Sequence, residues 1–340
     1  MKQEQKFALG IAAGIGAALV ARRLARARHA IDFDGRVVVI TGGSRGLGLV
    51  MARMFVDEGA RVVLLARDLG ELARASDDLE SRGGEVMTIR CDVRRRAEVR
   101  AAIDQVIELW HAVDVLINNA GIIQVGPLEH MGHEDFENAM ATHFWGPLHL
   151  ILEVVPIMRH RGFGRIVNIT SIGGKIAVPH LAPYCASKFA LVGLSDAVRA
   201  ELDQFGIRVT TVAPGLMRTG SPVNAQFKGQ HEVEYAWFKT ASSIPGLTIA
   251  AERAARKILE ACRYGDAHLT ITPQAKVAAV ANVAAPTSVS GALALVARLL
   301  PGPNGSQGNA IKKGRESESA WTPSLVTKLT DRAAAANNEI

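Results

Sequence analysis

The sequence predicts an α/β protein built as a doubly wound parallel sheet in a single domain. From Arg36 onward, short β-branched runs alternate with helix-length amphipathic stretches. The runs are nearly continuously apolar, as strands buried on both faces must be. The first of them leads directly into a glycine-rich turn.

The expected strands are Val37–Ile40, Arg61–Leu65, Val86–Arg90, Val113–Ile117, Gly164–Ile169 and Ile207–Val212, with a short closing strand near Ala267–Thr272. Between them, Leu47–Glu58, Leu69–Ser81, Glu98–Leu109 and Tyr184–Asp203 have the spacing of amphipathic helices. Right-handed crossovers then place helices on both faces of the sheet. The regularity fades after Pro273. Ala275–Leu300 is rich in Ala and Val but broken by Asn282, Pro286 and serines, which predicts surface or membrane-facing helices. Gly302–Gly308 is expected to be a linker and the remainder a weakly ordered tail. The expected organisation is therefore an N-terminal segment over 1–30, the sheet domain over 31–273 and an extension over 274–340.

Composition narrows the class. With 48% hydrophobic and 21% charged residues, neither wholesale disorder nor a polytopic membrane protein fits. The formal charge of +6 is concentrated in Arg22, Arg23, Arg26 and Arg28, and the rest of the chain is close to neutral, so no nucleic-acid partner is expected. Phe7–Ala21 carries no charge and precedes that basic cluster. A membrane anchor is the favoured reading, with a cleaved signal peptide or a soluble arm as alternatives. As an anchor, it would leave everything downstream on the cytoplasmic side by the positive-inside rule. Cys91, Cys185 and Cys262 are far apart and lack metal-ligand spacing, the usage of a reducing compartment. No metal site is expected.

The turn in VVVITGGSRGLG (Val37–Gly48) points to a dinucleotide. Gly42, Gly46 and Gly48 would let backbone approach a pyrophosphate at a helix N-terminus. Their Gly-x-x-x-Gly-x-Gly spacing differs from the commoner G-x-G-x-x-G. The second strand ends at Arg67, where an acid would grip the adenosine ribose and an arginine instead suits a 2′-phosphate. Arg45 is expected to converge on the same group, through charge-assisted bonds. Asp68 is expected to cap the next helix. NADP(H) is therefore the expected cofactor.

Tyr184 and Lys188 stand four residues apart at the start of a helix, so phenol and ammonium share a face. A cation beside the phenol favours its phenolate and suits it to general acid/base work. Ser171 follows a buried strand, at the sheet edge where open α/β sheets bind ligands.

With TGGSRGLG (Thr41–Gly48), NNAG (Asn118–Gly121), Ser171, YCASK (Tyr184–Lys188) and PGLMRT (Pro214–Thr219) in this order, the chain resembles the compact branch of the short-chain dehydrogenase/reductase family over about Arg36–Thr272. The resemblance implies a Rossmann-like domain and hydride transfer between an alcohol and a carbonyl. In it Tyr184 is the acid/base, Lys188 binds ribose and tunes Tyr184, and Ser171 orients the substrate. It further implies cofactor contacts from Gly42, Ser44, Arg45, Gly46, Leu47 and Gly48, and from Arg67, Asp92 and Val93. Asn119, Ala120, Gly121, Pro214, Gly215 and Thr219 complete the set, together with Tyr184 and Lys188. The family commonly has an asparagine, serving a proton relay, where this chain has His143. A titrating histidine can keep that relay or simply fill the space. The resemblance also implies a homodimer or homotetramer. Phe227, Tyr235, Trp237 and Phe238 in the Leu216–Leu247 stretch suggest an aromatic lid over an apolar alcohol or carbonyl. The reading from a different class is a cofactor-binding scaffold or redox sensor whose chemistry has lapsed.

Overall fold

The computed structural model describes residues 21, 23–24, 26–244, 246–319, 322 and 327–340. Seven parallel strands form the central sheet: β1 Val37–Thr41, β2 Arg61–Ala66, β3 Val86–Arg90, β4 Val115–Asn118, β5 Gly164–Ile169, β6 Ile207–Ala213 and β7 His268–Thr270. Their spatial order is β7-β6-β5-β4-β1-β2-β3. β1, β4 and β5 are buried at every residue, which explains why the sequence shows apolar runs and not alternation.

The helices α1 Gly46–Asp57, α2 Leu69–Glu80, α3 Arg96–Trp110, α4 His133–Met140, α5 Gly146–Arg161 and α6 Ala182–Leu202 follow the strands in turn. After them come α7 His231–Ala241, α8 Ala251–Tyr264, α9 Pro273–Ala284, α10 Pro286–Ala297 and α11 Lys328–Ala336. Two apolar clusters, one on each face of the sheet, make the core. Val38, Ile40 and Leu64 turn one way to meet α1 and α8, while Val39, Leu65 and Leu116 turn the other way to meet α3 and α5. This is the alternation of Cβ directions along a strand.

Between α4 and α5 the chain forms a π-helical turn, Ala141–Trp145. Such single turns often accompany functional sites. Gly146, which follows it, sits so close to Val93 that an added Cβ would lie 2.9 Å from Cγ2 of that valine.

The expected apolar helices after Pro273 are present as α9 and α10. α10 buries none of its residues, and Val277, Val280, Val283 and Leu295 are exposed. The expectation of a weakly ordered tail is corrected. Residues 327–340 include α11 and pack inward, with Thr330, Ala334, Asn337 and Glu339 buried. Sequence composition misses this because the tail has too few apolar residues to mark itself as packed. The expected anchor at Phe7–Ala21 lies, Ala21 apart, outside the described residues. Among the described residues no helix is long and apolar enough to cross a membrane.

Candidate active site

The sheet order reverses between β1 and β4, and the loops leaving their carboxyl ends frame a crevice. The glycine turn leaves β1. Gly42 adopts φ +61°, and an added Cβ there would meet the Ala120 backbone at 3.0 Å. A Cβ on Gly48 would overlap the Gly42 carbonyl. Only glycine fits either position. The opposite wall is NNAG. The Thr41 hydroxyl accepts from the amides of Asn119 at 2.9 Å and Ala120 at 3.0 Å, and the Asn119 side chain donates to the carbonyls of Thr41 and Gly42. Asn118 donates to Asn168 on β5, and Asn168 in turn donates to Ser195 on α6. One polar chain thus fixes β1, β4, β5 and α6 at the crevice.

Ser171 lies two residues beyond β5, where its hydroxyl accepts from the Gly173 amide at 3.0 Å. α6 begins just before Tyr184, and Ser171 lies close enough to the phenol to lower its pKa. Lys188 is one helical turn further on and buried, and its Nζ donates to the Ile169 carbonyl at 2.9 Å. That nitrogen lies 5.7 Å from the centroid of the Tyr184 ring. The serine, tyrosine and lysine expected from sequence are therefore brought together. Burial pushes the Tyr184 phenol up to about 12, partly offset by Ser171, and pulls the Lys188 ammonium down to about 7.

His143 sits in the π turn, packed edge-on to the Tyr184 ring at 5.4 Å between centroids. Its Nε2 accepts from the Ile122 amide at 3.1 Å, so Nδ1 must carry the proton and donate to Ser187 Oγ at 2.8 Å. Ser187 passes the chain on by donating to the Tyr184 carbonyl. Burial, reinforced by the nearby Lys188 charge, holds His143 well below its ordinary value. A neutral ring with both nitrogens engaged is a brace for the tyrosine helix. This replaces the relay considered from sequence.

The remaining expected residues line the same edge. Pro214 follows β6 directly, and its carbonyl accepts from Ile172. Gly215 packs against Thr272, and Thr219 bonds Ser221 at 2.7 Å. Leu47 and Val93 are buried. An added Cβ on Gly121 would lie 3.1 Å from His143 Nε2. Asp92, beyond β3, is gripped by Arg94, which lowers its carboxyl below the usual range. Asp68 caps α2 as expected, accepting from Glu71 at 2.8 Å.

The two arginines differ in their surroundings. Arg67 is exposed at the end of β2, whereas Arg45 pairs with Glu71 at 2.8 Å and donates to Asn224 at 2.9 Å. Glu71 also accepts from Ser44 at 2.8 Å. The sequence reading missed Glu71 as a holder of this loop, although its place three residues after Asp68 is a capping-box position.

The expected aromatic lid is also corrected. Phe227, Tyr235 and Phe238 are buried with Val125, Leu181 and Cys185 in a satellite core, because their edge-to-face contacts satisfy one another. Trp237, like Ile123, Val178 and Tyr184, remains partly exposed where it packs against this satellite core.

Two buried residues at the crevice were missed entirely, Asn337 and Glu339. The Asn337 carbonyl accepts from the Gly46 amide at 2.9 Å, and the Glu339 carboxylate accepts from the Gly220 amide. Nothing in the local pattern marks them, because the contacts join segments far apart in sequence.

A model of the short chain dehydrogenase family matches residues 36–228. The chain is 34% identical over 232 residues to dehydrogenase/reductase SDR family member 7B of Danio rerio, covering 65% of this chain and 75% of the relative. It is similar to the crystal structure of a short-chain dehydrogenase/reductase from Burkholderia phymatum in complex with NAD. There the TM-score is 0.68 and the identity 27%, over 75% of this chain and 95% of the other. It is also similar to L-sorbose reductase from Gluconobacter frateurii, complexed with NADPH and L-sorbose. That match has a TM-score of 0.64 and 26% identity, over 71% of this chain and 97% of the other.

Proposed function

The chain belongs to the short-chain dehydrogenase/reductase family, and from that premise we propose that it is an NADP(H)-dependent oxidoreductase interconverting an alcohol and its ketone or aldehyde. The single observation that carries the chemistry is the convergence of Ser171, Tyr184 and Lys188 at the carboxyl edge of the sheet.

The crevice suits a dinucleotide. Gly42, Gly46 and Gly48 leave room that side chains would fill, and the carboxyl group of Glu339 already rests against Gly46. The glycine loop and Thr219 would hold the phosphates, Asp92 and Val93 the adenine side, and Asn119 with Lys188 the nicotinamide side. When bound, the nicotinamide supplies or accepts the hydride.

The protein's own part is proton handling and orientation. A phenol held at about 12 stays protonated at neutral pH, so Tyr184 is poised to donate to a carbonyl oxygen. For the reverse reaction it must lose that proton, which a charged Lys188 favours. Ser171, beside the phenol, offers its hydroxyl to the same substrate oxygen. His143 and Ser187 keep the helix carrying Tyr184 against the crevice.

For the cofactor, Arg67 at the end of β2 supports NADP(H), because the neighbouring acid, Asp68, is taken up in capping α2. Family neighbours carry either NAD or NADPH. For the substrate, the partly exposed Ile123, Val178 and Trp237, which pack on the same satellite core as Tyr184, support an apolar alcohol or carbonyl. Exposed Trp145, Leu152 and Phe189, on the segments flanking β5, support pairing of two copies through those helices. The apolar run 7–21 remains the proposed membrane attachment.

The test is a screen of NADPH oxidation against aldehydes and ketones of increasing chain length. Turnover that improves with apolar length supports the reading. A preference for small polar carbonyls defeats its substrate part, and silence toward every carbonyl leaves the scaffold reading in its place.

A further inference from the structure

The glycine-rich turn already has an occupant from its own chain. α11 is anchored beside the site by Lys239, which pairs with Asp331 at 2.9 Å, and by Ser243, whose hydroxyl meets Thr330 at 2.7 Å. Residues 337–340 then run into the turn. The Gly46 amide, at the open N-terminus of α1, donates to the Asn337 carbonyl. Asn338 takes φ +58°, a conformation asparagine tolerates, and its side-chain amide donates to the carbonyls of Ser44 at 2.9 Å and Glu71 at 3.1 Å. Its oxygen accepts from Arg74 at 2.6 Å, while Arg53 donates to Asn337 at 2.8 Å.

Glu339 completes the seat. Its carboxylate lies 3.0 Å from where a Cβ of Gly46 would be, and accepts from the Gly220 amide. Gly220 itself has no room for a side chain, since an added Cβ would lie 2.6 Å from the Cβ of Glu339 and 2.7 Å from that of Ala334. A carboxyl group is thus held between a helix N-terminus and the loop after β6. These are the groups that the dinucleotide reading assigns to a pyrophosphate.

We propose that segment 337–340 is an intramolecular occupant of the dinucleotide-phosphate cradle, with the Glu339 carboxylate in the phosphate's place, and that the cofactor must displace it to bind. The proposal rests on the cofactor reading above. Its consequence is that apparent cofactor affinity is reduced by the fraction of molecules with the segment docked. A group that binds or modifies the segment would then raise cofactor affinity without touching the catalytic residues.

The experiment is a fluorescence titration with NADPH and NADH of four proteins: the full chain, the chain stopped before Asn337, Glu339→Gln and Arg74→Ala. Hydrogen exchange of residues 327–340 with and without saturating NADP+ accompanies it. Arg74→Ala removes an anchor outside the crevice, and with Glu339→Gln it keeps the test valid if the shortened chain does not fold. The expected result is that shortening tightens NADPH binding about tenfold, as a nine-tenths docked segment requires. Arg74→Ala should tighten it less; Glu339→Gln, neutral like the protonated acid that docks best, should weaken it above pH 7; and NADP+ should speed exchange in 337–340. Unchanged or weaker binding by the folded shortened chain or by Arg74→Ala, tighter binding by Glu339→Gln, or unaltered exchange on saturation overturns the proposal. If all four proteins bind either nucleotide alike, the segment proposal alone falls. If none binds any nicotinamide nucleotide, the cofactor reading has failed and takes the proposal with it.

Discussion

Glu339 makes cofactor binding depend on pH in a direction the structure fixes. Burial raises its carboxyl from 4.5 to about 7, with the Gly220 amide and Arg45 opposing the rise and Glu71 adding to it. A pKa raised in the docked state means that docking is strongest when the group is protonated. Docking therefore weakens as pH rises from about 4.5 through about 7. The full shift corresponds to roughly 3 kcal/mol, or a factor of a few hundred in the docking equilibrium. NADPH affinity of the full chain should thus climb between pH 5 and pH 8, by up to about two orders of magnitude if docking dominates. The assay is calorimetric titration of the full chain and of Glu339→Gln at several pH values in that window. The ligand's own phosphate titrates alike in both and cancels in the ratio. The glutamine variant should show a flattened profile. If both proteins have the same slope, Glu339 does not act as the titrating group of this contact.

Other consequences are separable from that one. Arg67→Asp should weaken NADPH at least about tenfold relative to NADH, since the cation proposed to meet the 2′-phosphate becomes an anion; an unchanged ratio in binding titrations removes Arg67 from cofactor choice. His143→Phe keeps a ring beside Tyr184 but leaves the Ile122 amide and the Ser187 hydroxyl short of a partner, which should cost roughly 2–4 kcal/mol in urea unfolding. Because burial depresses the His143 pKa, the unfolded chain binds that proton more readily. The wild-type protein should therefore lose stability as pH falls below about 6.5, and the phenylalanine variant should lose less. Equal slopes would contradict the neutral tautomer.

What the sequence revealed, and what it hid, follows from the range of each interaction. The strands were legible because β1, β4 and β5 are buried on both faces and are therefore mostly apolar, their few polar residues being held in internal hydrogen bonds. Tyr184 and Lys188 were legible because helical spacing alone sets them on one face. Boundaries shifted where caps decide them, as at β4, which begins at Val115 and not at Val113. The role of His143 was not legible: it depends on Ser187, and on an Ile122 amide at the far side of the crevice. The aromatic residues of α7 look like a lid in sequence. They pack as a core because Val125, Leu181 and Cys185 come from other segments to meet them. The inward path of residues 337–340 was the least legible of all, since its partners Gly46, Arg53 and Arg74 lie near the other end of the chain.

The claim beneath this account is that the phenol beside Ser171 and Lys188 moves the proton while the nicotinamide moves the hydride. Tyr184→Phe tests it most directly, read by paired NADPH titration and carbonyl-dependent NADPH oxidation. The account predicts binding within about twofold of wild type and turnover lower by about two to four orders of magnitude. A phenylalanine variant that binds NADPH and still reduces the carbonyl at the wild-type rate would contradict it.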